Sequence, residues 1–260
     1  MPFISHDGVD IHYRIDGPTD APVLLFSNSL GTSLAMWDAQ AAAFSARYRV
    51  LRYDTRGHGA SSVPPGPYSI AELGGDVIAL LDQIGIARAH VCGLSMGGIT
   101  AMWLAIHHPQ RVDRLVLANT AATIGPADGW TARAAAVERD GVAPIASAVV
   151  ARWLTPAYAQ ANPAHVARLE AMLSATPRDG YAANCLAVRD NDLRDQIVAI
   201  GAPTLVISGT GDLPTPPADG RFLAAQIAHA RFAELPAAHL SNQELPDQFS
   251  RLLMDFLAAD

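Results

Sequence analysis

Residues 89–108 read AHVCGLSMGGITAMWLAIHH: an apolar run from Ala89 to Cys92, a glycine-flanked serine, and a helical stretch from Met96 to His108. A strand that turns abruptly into a helix brings backbone within clashing distance. Gly93 and Gly97, two residues to either side of Ser95, stand where only a hydrogen side chain fits, and Gly98 extends that close approach. The expectation is a nucleophilic Ser95 at the tip of the turn, its Oγ facing a cleft, with the N–H groups and positive dipole end of the next helix beside it. The G-x-S-x-G pattern recurs in glycine-rich chains, so its weight here comes from the legible strand before it and helix after it.

Outward from this turn the chain keeps an alternating rhythm. Upstream, Phe3-Ile4, Val9 to Ile15, Val23 to Phe26 and Val50 to Tyr53 read as strands, separated by turn signals such as Asp7-Gly8 and Gly17-Pro18. Then come a helix over Ile70 to Ile84, the strand and helix around Ser95, and a strand over Leu115 to Ala118. Alternation of this kind marks an α/β fold, a mostly parallel sheet with helices on both faces. The rhythm stops from Ala127 to Ala187, an alanine-rich and helical stretch punctuated by Pro144, Pro156, Pro163 and Pro177. It resumes with a strand at Thr204 to Ser208, a helix around Arg221 to Ala228, a strand at Phe232 to Leu235 and a final amphipathic helix over Gln243 to Leu257. The organisation expected is therefore an eight-stranded core from residues 1–122 and 191–260, interrupted by a helical cap over residues 123–190.

Open sheets of this kind bind ligands beyond the carboxyl ends of their strands. Three polar residues fall there: Ser95, Asp212 in Gly209-Thr210-Gly211-Asp212, and His239, four residues past Leu235. Their order, Ser then Asp then His, is that of a nucleophile, acid and base triad on an α/β sheet, and three strand-end placements are more specific than one serine motif. Asn119 occupies the rival acid position after the preceding strand and cannot carry the negative charge that steadies an imidazolium. Among nine histidines only His239 is placed correctly; His58 sits in the turn Arg56-Gly57-His58-Gly59. Asp54 also follows a strand, where an Asp more often fixes a turn through backbone hydrogen bonds.

Composition excludes several other classes. With 260 residues, 50% hydrophobic and 17% charged, the chain has the makings of an ordinary well-buried globular protein. No apolar stretch reaches the roughly 18 residues needed to span a bilayer. The opening MPFISHDGVD carries no basic or apolar leader pattern, so the expected location is cytoplasmic and no membrane partner is expected. Cys92 and Cys185 suit reduced buried thiols. No metal is expected, because no Cys/His pair has ligand spacing. A net charge of −7 argues against nucleic acid as a partner. A small anionic substrate needs a local cation to offset that field.

On these residues the chain resembles the α/β-hydrolases and, more narrowly, the 3-oxoadipate enol-lactone hydrolases of bacterial aromatic catabolism. The likeness runs nearly end to end. It is carried by Ser27-Asn28-Ser29-Leu30-Gly31, Asp54-Thr55-Arg56-Gly57-His58-Gly59, Gly93-Leu94-Ser95-Met96-Gly97-Gly98, Thr120-Ala121-Ala122, Trp130-Thr131-Ala132-Arg133 and Ala238-His239-Leu240-Ser241-Asn242. The elbow and the arginine turn are widespread in the superfamily; the Ser-Asn-Ser-Leu-Gly loop, the Trp130 and Arg133 pair and the His-Leu-Ser-Asn run are narrower. Many superfamily members carry His-Gly where Asn28-Ser29 stands, but the loop has only to supply a backbone N–H.

The resemblance implies an oxyanion hole from the N–H groups of Leu30 and Met96, and a substrate, a small anionic lactone, bearing an acetate arm. Arg133 beside Trp130 is the candidate partner for that carboxylate, because a guanidinium donates two parallel hydrogen bonds. Trp153 is read as packing within the cap. The expected reaction opens the ring ester of the enol-lactone to a β-keto dicarboxylate, with no cofactor implied. A general carboxylesterase or cofactor-free perhydrolase uses the same residues, a carbon–carbon hydrolase ranks behind them, and a non-catalytic small-ligand receptor is the alternative of another class. Dehalogenases of this superfamily place an Asp where this chain has Ser95.

Overall fold

The computed structural model describes residues 2–259. Strands β1 (Phe3–His6) and β2 (Val9–Asp16) form a hairpin over Asp7 and Gly8, both at positive φ, the two-residue turn whose twist matches that of the paired strands. Strands β3 (Val23–Ser27), β4 (Arg49–Tyr53), β5 (Ala89–Leu94), β6 (Val112–Ala118), β7 (Thr204–Gly209) and β8 (Arg231–Leu235) complete the sheet. Its order is β1-β2-β4-β3-β5-β6-β7-β8; β1, β2 and β4 pair antiparallel, and every pair from β4 to β8 is parallel. All six residues of β5 are buried. Successive side chains of a strand point to opposite faces, so helices cover the sheet on both sides there.

Parallel register has one consequence for function: the loops that follow β3, β5, β6, β7 and β8 all leave the same edge. Short helix α1 (Asp38–Phe44), preceded by a 3-10 turn that Ser33 caps, follows β3, and α2 (Ile70–Gln83) begins in a capping box between Ser69 and Glu72. Helix α3 (Met96–His107) follows Ser95 directly. The core beneath β3 stacks Phe26 on Trp37 at 4.6 Å between ring centroids, with Phe249 on the far side of Trp37 at 6.0 Å.

Between β6 and β7 lie α4 (Ala127–Asp140), α5 (Ala146–Val150), α6 (Pro156–Ala161), α7 (Pro163–Ser174) and α8 (Arg178–Arg189), with no strand among the described residues of that stretch. Pro156 and Pro163 stand at the first positions of their helices, where a missing N–H is harmless. The proline punctuation thus divides what reads as one alanine-rich stretch into five helices. After β7 come α9 (Pro217–Gln226), then β8, α10 (Ser241–Glu244) and α11 (Pro246–Leu257).

Three elements depart from the sequence-based expectation. The helix expected at Arg221 to Ala228 begins four residues earlier, because Pro217 opens it as a first-turn residue. The single helix expected over Gln243 to Leu257 is two: Leu245 leaves the helical region at φ −130° and ψ 60°, as the residue before a proline tends to do. The turn and helix over Leu34–Phe44 have no period strong enough to be read from sequence.

Candidate active site

Ser95 joins β5 to α3 at φ 57° and ψ −119°, a conformation that L residues seldom adopt and that costs about 1–3 kcal/mol. The surrounding contacts hold it there. Its N–H donates to Ala118 O at 3.1 Å, and its carbonyl accepts from the Gly98 N–H at 2.8 Å and the Thr120 hydroxyl at 2.7 Å. The flanking glycines are required by space: a Cβ on Gly93 would lie 2.1 Å from Gly97 O, and one on Gly97 would lie 2.2 Å from Ser27 O. The second contact presses the start of α3 against the end of β3, so the elbow and the loop after β3 share one corner.

Asp212 and His239, the candidate acid and base, follow β7 and β8. Asp212 closes a turn after β7, and that turn is bound to the chain after β8 by Thr210 N–H to Leu235 O and Gly211 N–H to Ala237 O, both 2.9 Å. His239 Nδ1 lies 3.0 Å from each Asp212 carboxylate oxygen, and both residues are buried. Asp212 also accepts from the Thr215 N–H at 2.9 Å, the Thr215 hydroxyl at 2.8 Å and the Asn119 amide at 2.9 Å. Burial pushes the Asp212 carboxyl up, but the His239 charge and hydrogen bond, the Thr215 N–H and the Asn119 amide outweigh it, and the group titrates below the usual carboxylate range. An ionised carboxylate on Nδ1 leaves Nε2 free to take a proton.

Of the loop after β3, three consecutive N–H groups matter. Ser29 N–H contacts Met36 Sδ at 3.4 Å and Gly31 N–H donates to His58 Nε2 at 2.8 Å, while the Leu30 N–H between them has no protein acceptor among the described hydrogen bonds. Met96, as the first residue of α3, presents an N–H that no helical carbonyl reaches. His58 accepts only in its neutral form. Burial pushes its pKa down to about 4 against the opposing effect of the Arg56 carbonyl, so it is neutral near pH 7.

Ser95 and His239 line one cavity that opens to solvent. Ser29 and Leu30 line it from the sheet edge; Trp130, Arg133, Arg152 and Trp153 line it from the inserted helices. The Trp130 indole N–H donates to Ile124 O at 2.6 Å, and the Arg133 guanidinium stacks over the Trp130 ring at 4.8 Å. Neither Arg133 nor Arg152 pairs with an acid among the described residues, although most other arginines of the chain do. Two uncompensated cations therefore stand at a cavity in a chain of net charge −7.

A family model for the alpha/beta hydrolase fold matches residues 22–244. The chain belongs to the alpha/beta hydrolase family. Two relatives from Acinetobacter baylyi are similar over nearly their whole length. 3-Oxoadipate enol-lactonase 2 is 48% identical over 95% of this chain and 92% of its own, and 3-oxoadipate enol-lactonase 1 is 40% identical over 97% and 95%. Among solved structures, the enol-lactonase from Burkholderia xenovorans LB400 superposes with a TM-score of 0.98 at 48% identity, covering 99% of this chain and 100% of that one.

Within this hydrolase the expected residues meet as follows. Asp212 and His239 are in contact; Ser95, Leu30, Trp130 and Arg133 line the same cavity as His239, and Met96 follows Ser95. Asp54 serves its turn, accepting from the N–H groups of Leu34 and Ala60 and contacting His12 Nδ1 at 2.7 Å. Trp153, expected only to pack, is buried and also lines the cavity. Reading by strand ends misses Arg152, Thr215 and the part played by His58. Asn119, which occupies the rival acid position after β6, donates its amide to the Asp212 carboxylate. No group of three or more His, Cys, Asp or Glu side chains suited to a metal ion occurs among the described residues, and no described helix is long and apolar enough to cross a membrane.

Proposed function

We propose that this hydrolase opens the ring ester of 3-oxoadipate enol-lactone to give 3-oxoadipate, working at the cavity shared by Ser95 and His239. Ser95 Oγ attacks the lactone carbonyl while His239 Nε2 takes its proton, and Asp212 holds the imidazole in the required tautomer. The N–H groups of Leu30 and Met96 receive the oxyanion; losing one such donor costs roughly 100- to 1000-fold in rate. Collapse breaks the ring C–O bond. The departing oxygen takes the proton from His239 to give the enol, which tautomerises to the ketone by moving that proton to carbon, and so disfavours ring closure. Water activated by His239 then releases the acyl group from Ser95 as a carboxylate.

The observation that carries the substrate assignment is Arg133, a cation that lines the cavity with no acid partner among the described residues. It is suited to bind the acetate arm of the lactone with two parallel hydrogen bonds, stacked on Trp130. The similarity to two enol-lactonases over nearly the whole chain supports the same substrate. Residues 123–190 act in this reading as the cap that carries the anion site, and residues 1–122 and 191–260 as the core that carries the chemistry, in a cytoplasmic enzyme.

The test is loss of the ultraviolet absorbance of the enol-lactone on adding purified protein. Turnover is expected with wild type and none above background with Ser95→Ala. Lactone stable in the presence of a protein that cleaves p-nitrophenyl acetate would move the assignment to a general carboxylesterase, and inertness toward both would leave a ligand receptor.

A further inference from the structure

Glu244 ends α10 with its side chain buried and, among the described residues, no cation paired to it. A carboxylate taken out of water without a counter-charge is costly unless donors surround it. Three do. Oε2 accepts the Ala238 N–H at 3.0 Å and the Thr155 N–H at 3.1 Å, and Oε1 accepts the Thr155 hydroxyl. Ala238 immediately precedes His239, and Thr155 caps α6 in the helical insertion. On the other side of His239, the Leu240 N–H donates to Trp153 O at 2.9 Å. The segment Trp153–Thr155, whose first residue lines the cavity, thus grips the residues before and after the base.

We propose that Glu244 is a positioning residue for His239, holding the histidine loop and the Trp153 wall in one hydrogen-bonded frame. This rests on the assignment of His239 as the base for Ser95. Both backbone N–H groups converge on the same carboxylate oxygen, and the third donor is a hydroxyl that can reverse its role. A glutamine therefore keeps the frame: its carbonyl takes the two N–H groups and its NH₂ donates to the Thr155 oxygen. Alanine removes all three contacts. Charge at this position has no part in the role, which separates it from an electrostatic one.

The experiment follows the rate and the final extent of Ser95 labelling by a small fluorophosphonate in wild type, Glu244→Ala, Glu244→Gln and Thr155→Val, with thermal melts of each. Labelling rate reports how well His239 activates Ser95, whereas extent reports the fraction of competent molecules. Glu244→Ala is expected to slow labelling about 10- to 100-fold at full extent, Glu244→Gln to stay within about threefold of wild type, and Thr155→Val to lose about three- to tenfold. An alanine variant that labels at the wild-type rate but to reduced extent overturns the proposal in favour of a purely structural role. A glutamine variant as slow as alanine overturns it in favour of charge. If the alanine variant does not fold, an unchanged rate in Thr155→Val overturns it equally. Wild type that is not labelled at all removes the assignment of Ser95 and His239, and the proposal with it.

Discussion

The carboxyl edge of the sheet and the helical insertion above it meet at one cavity, yet they hold their side chains by different means. At the edge, Ser95, Asp212 and His239 follow β5, β7 and β8, and parallel register brings three residues far apart in the chain to one end of the sheet. Backbone geometry does the placing: a positive φ at Ser95, a turn that ties Asp212 to the chain after β8, and hydrogen bonds before and after His239. In the insertion, Trp130 and Arg133 sit on α4 and Arg152 and Trp153 on the turn after α5, held by side-chain packing and a few bonds such as Trp130 to Ile124 O. A sheet edge locks chemistry in place whatever lies above it, while the insertion is free to change what the chemistry is applied to. The contrast gives a rule for substitutions. Edge variants should lose rate with every substrate, and insertion variants should lose it selectively.

The largest expected effect is at the edge. Asp212→Asn keeps the size of the side chain but replaces one acceptor with a donor, so the imidazole is driven to the wrong tautomer. A fall in kcat of about 10⁴-fold is expected on the lactone and on p-nitrophenyl acetate alike. A much smaller loss on one of the two would break the rule at its strongest point. Asn119 sets a limit on any rescue, since its amide already donates to Asp212 Oδ2 at 2.9 Å and to Ala238 O at 3.1 Å, and it has no charge to offer.

The insertion should behave otherwise. Arg133→Ala removes a cation that contacts no catalytic group, so kcat/KM for the anionic lactone should fall about 100-fold and that for a neutral phenyl ester by no more than about threefold. Initial rates on the two substrates, measured in the same buffer, decide it. Equal losses would mean that Arg133 supports the fold of α4 through its stacking on Trp130 and does not select the substrate.

The same division governs what can be read in the amino-acid sequence. Strand ends announce themselves, because an apolar run followed by Gly-Leu-Ser-Met-Gly or Gly-Thr-Gly-Asp fits few arrangements besides a turn at a strand's carboxyl end in an alternating α/β chain. The edge residues are legible for that reason. In the insertion the period fails: helices of five to fourteen residues, rich in alanine, do not say which side chains face the cavity. Trp153 therefore reads as packing, and nothing in the spacing sets Arg152 apart from a solvated arginine. Glu244 is invisible for a third reason, since its partners are backbone N–H groups and a hydroxyl distant in the chain, and Thr215 shows its role only once its N–H and hydroxyl are seen to donate to the Asp212 carboxylate.

Acid sharpens the comparison from the core side. His58 lies beneath the loop that presents Leu30, and its neutral Nε2 accepts the Gly31 N–H at 2.8 Å. With its pKa pushed down by burial to about 4 in the folded protein, against about 6.5 in an unfolded chain, the unfolded state binds a proton first as pH falls. The stability that neutral His58 contributes is therefore complete above pH 6.5 and is withdrawn between about pH 6.5 and 4, with about 2 kcal/mol lost from pH 7 to pH 5. Urea unfolding across that range measures it. His58→Gln places a carbonyl acceptor near the former Nε2 without a titrating group, so its stability should flatten over the window, leaving the Asp212 and other carboxylate contributions to fall at lower pH. A slope unchanged in His58→Gln would mean that other groups carry the acid sensitivity. In the folded protein His58 takes up its proton only near pH 4, where it turns a donor toward the Gly31 N–H, so activity should fail there on lactone and neutral ester together, the behaviour that the contrast assigns to the edge.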